Sequence, residues 1–523
     1  MPWDNVAVIR LQLGRHGIYG IKNSEQVPLA AARILRNVTL EDNTYRTMGG
    51  ATSLGSAIGA QVNAAIDFFP SDGTQRTLVS VGDGSLRKDD GNGDNWVTLA
   101  SGLTTSGQVP FWCLAGAESQ GRSRKAFHCD RINSVRVLAA DGVTMSAIAS
   151  PPADWNGTNQ PAWLCQHRGY LWGGGNVNDP RRAYRSLLQD HENFGGGGAG
   201  PGYQIPILMG DYERQVAAMS YKGFLLIWCY PRGVFAIDTR SDQEVQWAPF
   251  EVGQAGAAGP WNVIRLEDDV LWVSPQGTFH LISQTDAAGS LRATDISAEK
   301  LGAFFRDNVN LAQLATAQWI YYAHKGVASL ACHGQGQTAK NRRLDFDVLK
   351  AKEIGERWVF QERDRNEALY IRKESEIGVP AMFDEDGLLW ELDRSSRTQD
   401  GSGYSMTWEI WDSDFAQLVP EWASRKKNGR FLAILYDPKT ASTHTIDVIR
   451  DGDIRQSIDF SLKAGGVTLP VTLPVTLTES VPTLTAKKRL LGQFTRLGLK
   501  GRSAGAGNDV SLMELQIGVE LAG

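Results

Sequence analysis

Short apolar runs alternate with turn-forming residues through the middle of the chain, and one phrase recurs. It is a turn pair followed by an apolar run that holds an aromatic residue, in RGYLWGG (168–174), KGFLLIW (222–228), DDVLWVS (268–274) and DGLLWEL (386–392). After two of these copies comes a Pro/Gly turn with a second apolar run, PRGVFAID (231–238) and PQGTFHLIS (275–283). A strand, a tight turn and another strand form a β-hairpin, so the pattern predicts repeated hairpins.

The spacing of the copies predicts a β-propeller. The first three begin at residues 168, 222 and 268, and a period of roughly 40–55 residues with several strands per unit is typical of propeller blades. Weaker units of the same kind are TLVSVGDGSLRK (77–88) and VRVLAADGVTMSAI (135–148). The long interval before the fourth copy leaves room for one more blade and an insertion. We therefore expect a propeller over residues 62–395.

The best helix pattern in the chain lies inside the expected insertion, near residues 295–315. Leu301, Phe304 and Phe305 fall on one helical face. Ser297 precedes them and is of the type that caps a first helical turn. We expect few helices elsewhere.

After a polar linker at 396–403, hydrophobic and polar residues alternate strictly. Apolar positions in 457–462 and 513–521 recur at every second residue, which is the pattern of an antiparallel sheet with one face in a core. Residues 404–523 therefore predict a C-terminal β-sandwich platform. The segment 463–485 contains the repeat VTLPVTLPVTLT, and its prolines exclude a central strand, so we expect an exposed arm that contacts a neighbouring subunit or the ring above.

Residues 1–61 lack this regular alternation and predict an N-terminal arm or framing segment. Within it, VPLAAARILRN (27–37) predicts a short helix after Pro28. The fold class expected for the whole chain is all-β: a β-propeller with an additional C-terminal antiparallel β-sandwich and few helices.

Composition agrees with many short strands and narrows the function. Of 523 residues, 56 are Gly and 16 are Trp, while charged residues make up 21%. The formal net charge of −5 argues against a nucleic-acid binder that works through a global basic field. Five scattered cysteines form no zinc-type pair and predict buried free thiols.

The chain shows no basic segment followed by an apolar run at its start, so we expect no signal peptide. No apolar run approaches the roughly 18 residues that a membrane-spanning helix needs. Synthesis in a cytoplasm is the corresponding expectation.

Catalytic templates for serine hydrolases, zinc proteases, phosphate-binding loops and dinucleotide sites are absent from the sequence. One cluster resembles a calcium loop, because Asp90, Asn92 and Asp94 have alternate spacing, yet the glycine and glutamate that such a loop requires are missing. An Asx/Gly turn between two strands is the favoured explanation of the cluster, and a weak calcium site stays open as the alternative. We predict no catalytic, cofactor-binding or metal-binding residues.

Other charged groups have a structural explanation in their sequence context. Two groups of acids, Asp384-Glu385-Asp386 and Glu267-Asp268-Asp269, precede strand phrases and predict solvated turns rather than a glycosidase pair. Four basic clusters predict solvated loops and charged strand edges, with contact to a partner subunit or DNA backbone as the alternative: Arg181-Arg182, Arg342-Arg343, Arg425-Lys426-Lys427 and Lys487-Lys488-Arg489.

The order of these parts resembles the tail nozzle or tail hub proteins of short-tailed bacteriophages, also called tail tubular or phage stabilisation proteins. The resemblance is carried by ARILRNVTLEDNTYRTMGG (32–50), the unit at 78–107, SMTWEIWDSDF (405–415) and RLLGQFTRLGLKG (489–501). It implies a homohexameric ring below the portal and its adaptor, or head-to-tail connector, with tail fibres or tailspikes docked outside. Viral DNA would pass through the lumen without sequence-specific binding, and the family brings no catalytic residues.

The expected function is therefore structural: a virion tail protein, not an enzyme, assembled in the host cytoplasm and acting in DNA ejection. A mildly acidic conduit suits this role, because lysine and arginine contacts to phosphates would retain the genome. Two alternatives remain, a sialidase-like propeller glycosidase and a carbohydrate-binding adhesion module of a tail fibre.

Overall fold

The computed structural model describes residues 6–20, 27–41, 44–89, 93–116, 124–195, 204–207, 209–243, 246–284, 291–297, 301–337, 339–348, 358–362, 368–374, 377–394, 397–400, 402–403, 405–437, 441–463, 482–485, 487–504 and 509–522. Strands account for 54% and helices for 5%. The all-β class predicted from the sequence is confirmed.

Five short strands come first along the chain and pair with distant partners described below. They are β1 (Ala7–Gln12), β2 (Ala32–Arg36), β3 (Val38–Glu41), β4 (Thr44–Thr47) and β5 (Gly50–Leu54).

Six four-stranded antiparallel sheets follow, each built from strands that are consecutive along the chain. Sheet 1 contains β6 (Val62–Phe68), β7 (Arg76–Val81), β8 (Leu86–Lys88) and β9 (Val97–Ala100); sheet 2 contains β10 (Phe111–Ala115), β11 (Lys125–Cys129), β12 (Arg136–Leu138) and β13 (Met145–Ala147); sheet 3 contains β14 (Trp163–His167), β15 (Tyr170–Gly174), β16 (Arg182–Arg185) and β17 (Gln204–Pro206); sheet 4 contains β18 (Arg214–Tyr221), β19 (Phe224–Tyr230), β20 (Arg232–Asp238) and β21 (Pro249–Ala255); sheet 5 contains β22 (Val263–Arg265), β23 (Val270–Val273), β24 (Phe279–Gln284) and β25 (Leu291–Asp295); sheet 6 contains β26 (Gln318–Tyr322), β27 (Val327–Cys332), β28 (Arg342–Asp347) and β29 (Trp358–Glu362).

A seventh sheet closes these six into a propeller-like ring. It contains β30 (Ala368–Glu374), β31 (Ile377–Phe383) and β32 (Leu389–Arg394), and β5 from the N-terminal region is its fourth strand. The first strand of each sheet contacts the first strand of the next, and β30 contacts β6. We call this arrangement the sheet ring.

All the sheets of the ring have the same orientation. In each, the beginning of the first strand pairs with the end of the second, as in the pairs Trp163–Gly174 and Arg214–Tyr230. The turn between the second and third strands therefore lies at the end of the ring where the first strands begin. We call this end the start face.

The rest of the chain forms two larger antiparallel sheets, which we call the platform. The short strands β33 (Thr398–Gln399) and β34 (Ser402–Gly403) extend sheet 7. The further strands of the platform are β35 (Met406–Ser413), β36 (Lys427–Asp437), β37 (Ser442–Arg450), β38 (Asp453–Leu462), β39 (Thr483–Leu484), β40 (Lys488–Arg489), β41 (Gln493–Phe494), β42 (Leu497–Ala504) and β43 (Ser511–Leu521). The five-stranded sheet has the order β2-β35-β42-β37-β38, and the eight-stranded sheet is centred on β43 and β36.

The two platform sheets share one hydrophobic core. Ile446 and Phe460 of the five-stranded sheet are buried in it together with Ile434 and Ile517 of the eight-stranded sheet. The strict alternation around Phe460 and Ile517 therefore places one face of each strand inward, as the sequence predicts.

The N-terminal residues differ from the expected arm or framing segment. Strand β1 pairs with β43, β2 with β35, and β4 with β43, so these residues are integral to the platform. The short helix predicted at 27–37 is wrong, because Leu35 pairs with Trp408 in the β2 strand. The backbone at Ala30 and Asn37 is left-handed (φ 64° and 53°), which excludes a continuous right-handed helix.

The predicted insertion contains helix α1 (Gly302–Asn308) and a 3-10 helix at Leu311–Thr316. Elsewhere in the chain, 3-10 turns lie at Pro260–Asn262 and Pro420–Trp422. Ser297 does not cap α1; its hydroxyl oxygen accepts the Phe279 backbone N–H at 2.7 Å. Phe305 of α1 is buried in the platform core. The insertion thus joins the sheet ring to the platform.

The recurring phrase falls on different strands of its sheets. Three copies form the second strands β15, β19 and β23, whereas DGLLWEL forms β32, the third strand of sheet 7. A turn followed by an apolar run occurs at two places in every sheet, which explains why the phrase alone does not define the strand position.

Candidate functional site

Three turns of the start face have the same carboxylate cap. Asp83 in sheet 1, Asp130 in sheet 2 and Asp384 in sheet 7 each accept the backbone N–H two residues further on, at 2.9, 3.0 and 3.1 Å. An aspartate in this position replaces a backbone acceptor and stabilises the turn. These acids therefore serve the fold of the start face.

Asp384 shows why the acid groups do not form a glycosidase pair. Its side chain is only 1% exposed, and it also accepts the Trp390 indole N–H at 3.0 Å. The sequence placed this group correctly in a turn, but the prediction of a solvated acid is wrong for Asp384 because its oxygens bind buried donors. Asp268 lies in the turn before β23, at the opposite end of the sheet ring, so the two groups cannot act together.

Of the calcium-like cluster, residues Asp90 and Asn92 lie outside the described residues, and Asp94 is exposed. The preceding Asp89 is buried and accepts the backbone N–H groups of Thr77 at 2.5 Å and of Gly93 at 3.1 Å. These bonds anchor the turn between β8 and β9. Within the described residues, no group of three or more His, Cys, Asp or Glu side chains is arranged to hold a metal ion.

The basic clusters differ in exposure: Arg425, Lys426 and the cluster Lys487-Lys488-Arg489 are exposed, whereas other members are paired or buried. Arg181 pairs with Asp211, and Arg343 donates to Asp345 at 3.0 and 3.1 Å. Lys427 is fully buried, which differs from the predicted solvated edge, and its ammonium donates to the Arg425 and Thr495 carbonyls. Burial lowers the pKa of Lys427.

Two buried histidines act as packing residues. His167 bridges sheets 3 and 4 through the hydroxyls of Ser220 (2.8 Å) and Thr239 (2.6 Å), and burial lowers its pKa to about 4. In the platform, His444 accepts the Trp408 indole N–H at 3.1 Å, and burial lowers its pKa to about 3. Both rings are therefore neutral near pH 7.

The tryptophans of the recurring phrase form the hydrophobic cores between sheets. Trp172, Trp228 and Trp272 are fully buried, and Trp390 is 7% exposed. The Trp228 and Trp272 rings meet edge to face at 5.9 Å. Their burial confirms packing and leaves no face for a stacked sugar ring.

One cleft of about 270 Å³ opens beside sheet 4. Its wall includes Met209, Phe235 and Glu251, and an ion pair between Glu213 and Arg232 (2.8 Å) crosses it. The second Glu213 oxygen accepts the Gly210 backbone N–H at 2.7 Å. The carboxylate is thus committed to the loop before β18.

Sequence reasoning missed two arginines on the start face, Arg131 and Arg214. Within the described residues, neither guanidinium forms a hydrogen bond or an ion pair, and the Nε atom of each is buried. The available sequence clue was an arginine at the first position of the otherwise mostly apolar first strand β18. Its isolation could not be predicted locally, because an acid that neutralises an arginine can come from another loop, as Asp211 does for Arg181.

Comparisons with known proteins give no family. No protein-family model matches the chain, and no curated protein matches its sequence. Among solved structures, a computationally designed protein, Ika8, is similar at 12% identity and a TM-score of 0.36, covering 66% of this chain and 99% of its own. BBS1N, solved in complex with ARL6DN, is similar at 9% identity and a TM-score of 0.40, covering 65% and 94%. Likenesses this weak carry no argument about function.

The described residues include no helix that is both long enough and apolar enough to cross a bilayer.

Proposed function

We propose that the chain is a seven-bladed β-propeller joined to a β-sandwich platform, and that it is a structural virion protein, the tail nozzle or hub of a short-tailed phage. In this role six copies form a ring below the portal adaptor, DNA passes through the lumen during ejection, and the propellers carry fibres or tailspikes. No chemistry is required of the protein.

The observation that carries the proposal is that N-terminal strands complete both the sheet ring and the platform. Strand β5 completes sheet 7, and β1, β2 and β4 pair with strands after residue 405 in the platform. A strand supplied from the opposite end of the chain ties the last sheet of the ring to the first. Such a scaffold suits a conduit that holds pressurised DNA.

The charged side chains also fit a structural role. Several of the acids and bases that the sequence singled out bind an indole, a carboxylate or backbone carbonyls, as Asp384, Arg343 and Lys427 do. The formal net charge of −5 favours passage of a polyanion over retention.

Negative-stain electron microscopy of the purified full chain tests the proposal, alone and with a portal-adaptor ring from a short-tailed phage. Six-fold rings with a central hole are expected, and an Ala51→Asp variant, which disrupts β5, should form fewer of them. Particles that stay monomeric at high concentration and beside the adaptor would contradict it.

The two alternatives are separated by binding and turnover. Hydrolysis in a glycan screen would favour a propeller glycosidase, and binding on a glycan array by the full chain would favour an adhesion module. Neither result is expected from a nozzle.

A further inference from the structure

We infer that Arg131 and Arg214 form a binding site for a small oxyanion, a carboxylate or phosphate group, at the mouth of the sheet ring. This inference does not rest on the proposed function, because it concerns two side chains and their surroundings on the start face.

Three neighbouring loops bring the two arginines together. Arg131 lies in the turn after β11, and its backbone N–H donates to the Pro161 carbonyl at 3.1 Å. Ala162, the next residue, borders Gly175, where an added Cβ would lie 3.0 Å from the Ala162 Cβ. The same position would lie 2.3 Å from the carbonyl oxygen of Gln215, the neighbour of Arg214. The turn of sheet 2 and the beginnings of β14 and β18 therefore converge.

Three other arginines, in the loops around sheets 3 and 4 of this face, have carboxylate partners. Arg181 pairs with Asp211, Arg182 with Asp179 at 2.7 Å, and Arg232 with Glu213 at 2.8 Å, as the ion pairs of the loops around sheets 3 and 4 show. These arginines provide an internal standard, since they show how the fold neutralises a cation here.

Arg131 and Arg214 have no such partner among the described residues. The adjacent acid Asp130 is buried and caps its own turn, accepting the Ile132 and Asn133 backbone N–H groups. Glu213, next to Arg214, is committed to Arg232. Arg214 instead lies over the Tyr230 ring, with its Cζ 4.9 Å from the centroid.

The electrostatics point to a missing anion. Burial lowers the pKa of the Arg131 guanidinium, and the positive charge of Arg214 lowers it further, so the two groups repel one another. Partly buried cations without a counter-ion are costly. Guanidinium groups bind carboxylates and phosphates through paired N–H donors, so an oxyanion between them would remove the repulsion and supply acceptors.

Phosphate binding by the full chain tests the site. Inorganic phosphate is titrated at constant ionic strength, with sodium chloride as the balance, and followed by phosphorus NMR line width. Each of Arg131→Gln and Arg214→Gln should weaken binding about tenfold or more, and Arg214→Lys less. Arg181→Gln, which removes a paired arginine from the same face, is the matched control and should change affinity less than twofold.

Thermal unfolding without phosphate checks that the variants fold. Arg131→Gln should melt at the same temperature as the parent or higher, because it removes like-charge repulsion, yet it should lose the stabilisation by phosphate. A repeat with succinate identifies the source: a response to phosphate alone indicates a phosphoryl ligand, and a response to succinate that exceeds the response to phosphate indicates a carboxylate. Absence of binding, or equal loss in Arg181→Gln, would overturn the inference.

Discussion

The sheet ring and the platform are both antiparallel β structures, but the chain builds them in opposite ways. Sheets 1 to 6 each use consecutive strands, so their pairs are local. The platform pairs Ala7 with Val519 and Ala32 with Ile410. Sheet 7 combines both modes, because β5 joins a local three-stranded meander. The contrast shows that local hairpins supply the units, while distant pairings close the molecule.

The largest effect is expected where the two modes meet, in sheet 7. Ala51 of β5 is 1% exposed and pairs with Leu392. Ala51→Asp buries an unpaired charge and should cost about 3–5 kcal/mol of unfolding free energy. Limited proteolysis should then cut β30 to β32 first, while the platform survives longer.

Ser56→Asp is the control for that experiment, because Ser56 is exposed just beyond the strand. Its cleavage pattern should match the parent. If Ala51→Asp were cut no faster than Ser56→Asp, β5 would not be what holds the ring closed.

The next largest loss of stability is expected in the platform. An added Cβ at Gly501 of β42 would lie 2.2 Å from the Trp408 ring, so Gly501→Ala should destabilise the platform by about 1–3 kcal/mol. Gly498→Ala, in the same strand, meets its nearest atom at 3.4 Å and should be nearly neutral. Urea unfolding followed by Trp fluorescence compares them; equal midpoints would contradict the tight Gly501–Trp408 contact.

Acid should weaken both regions through buried histidines. His167 in the ring has its pKa lowered to about 4 and His444 in the platform to about 3. Unfolded histidine titrates near 6.5. Stability is therefore complete above pH 6.5 and falls toward the folded pKa, by up to about 1.4 kcal/mol per pH unit for each histidine, because the unfolded state binds the proton.

Replacing one histidine at a time assigns this loss to a region. His444→Gln retains an acceptor for Trp408 and should flatten the pH dependence of the platform transition between pH 6.5 and 4, leaving that of the ring unchanged. Unfolding midpoints across this pH range provide the measurement, and an unaltered slope would show that His444 does not carry the dependence.

The smallest effect concerns the start-face turns. Asp384→Ala leaves the Trp390 indole and two backbone N–H groups without their acceptor and should cost about 1–3 kcal/mol. Asp386→Ala, two residues away and exposed, should cost less than about 0.5 kcal/mol. Thermal unfolding of the pair decides whether the cap stabilises sheet 7.

Much of the candidate site could not be predicted from the sequence, because the fold decides what surrounds each charged side chain. Asp384 and Lys427 look like solvated charges in the printed sequence, and only the fold surrounds them with an indole or with carbonyl oxygens. Likewise, the sequence does not distinguish Arg181 from Arg214. Arg181 pairs with Asp211 and Arg214 lies over the Tyr230 ring, because different loops approach each arginine.

The sequence by itself determined the all-β class, the hairpin units of the ring and the inward faces of strands such as β38 and β43. These features depend on residues within one strand or one turn of each other, where side-chain alternation and turn chemistry act directly. Tertiary structure alone decided that β1, β2 and β4 complete the platform and that β5 completes sheet 7. It also decided that the turn carrying Arg131 lies near the beginning of β18, which carries Arg214. Such pairings join segments far apart along the chain, and no local pattern encodes which distant edge a strand will meet.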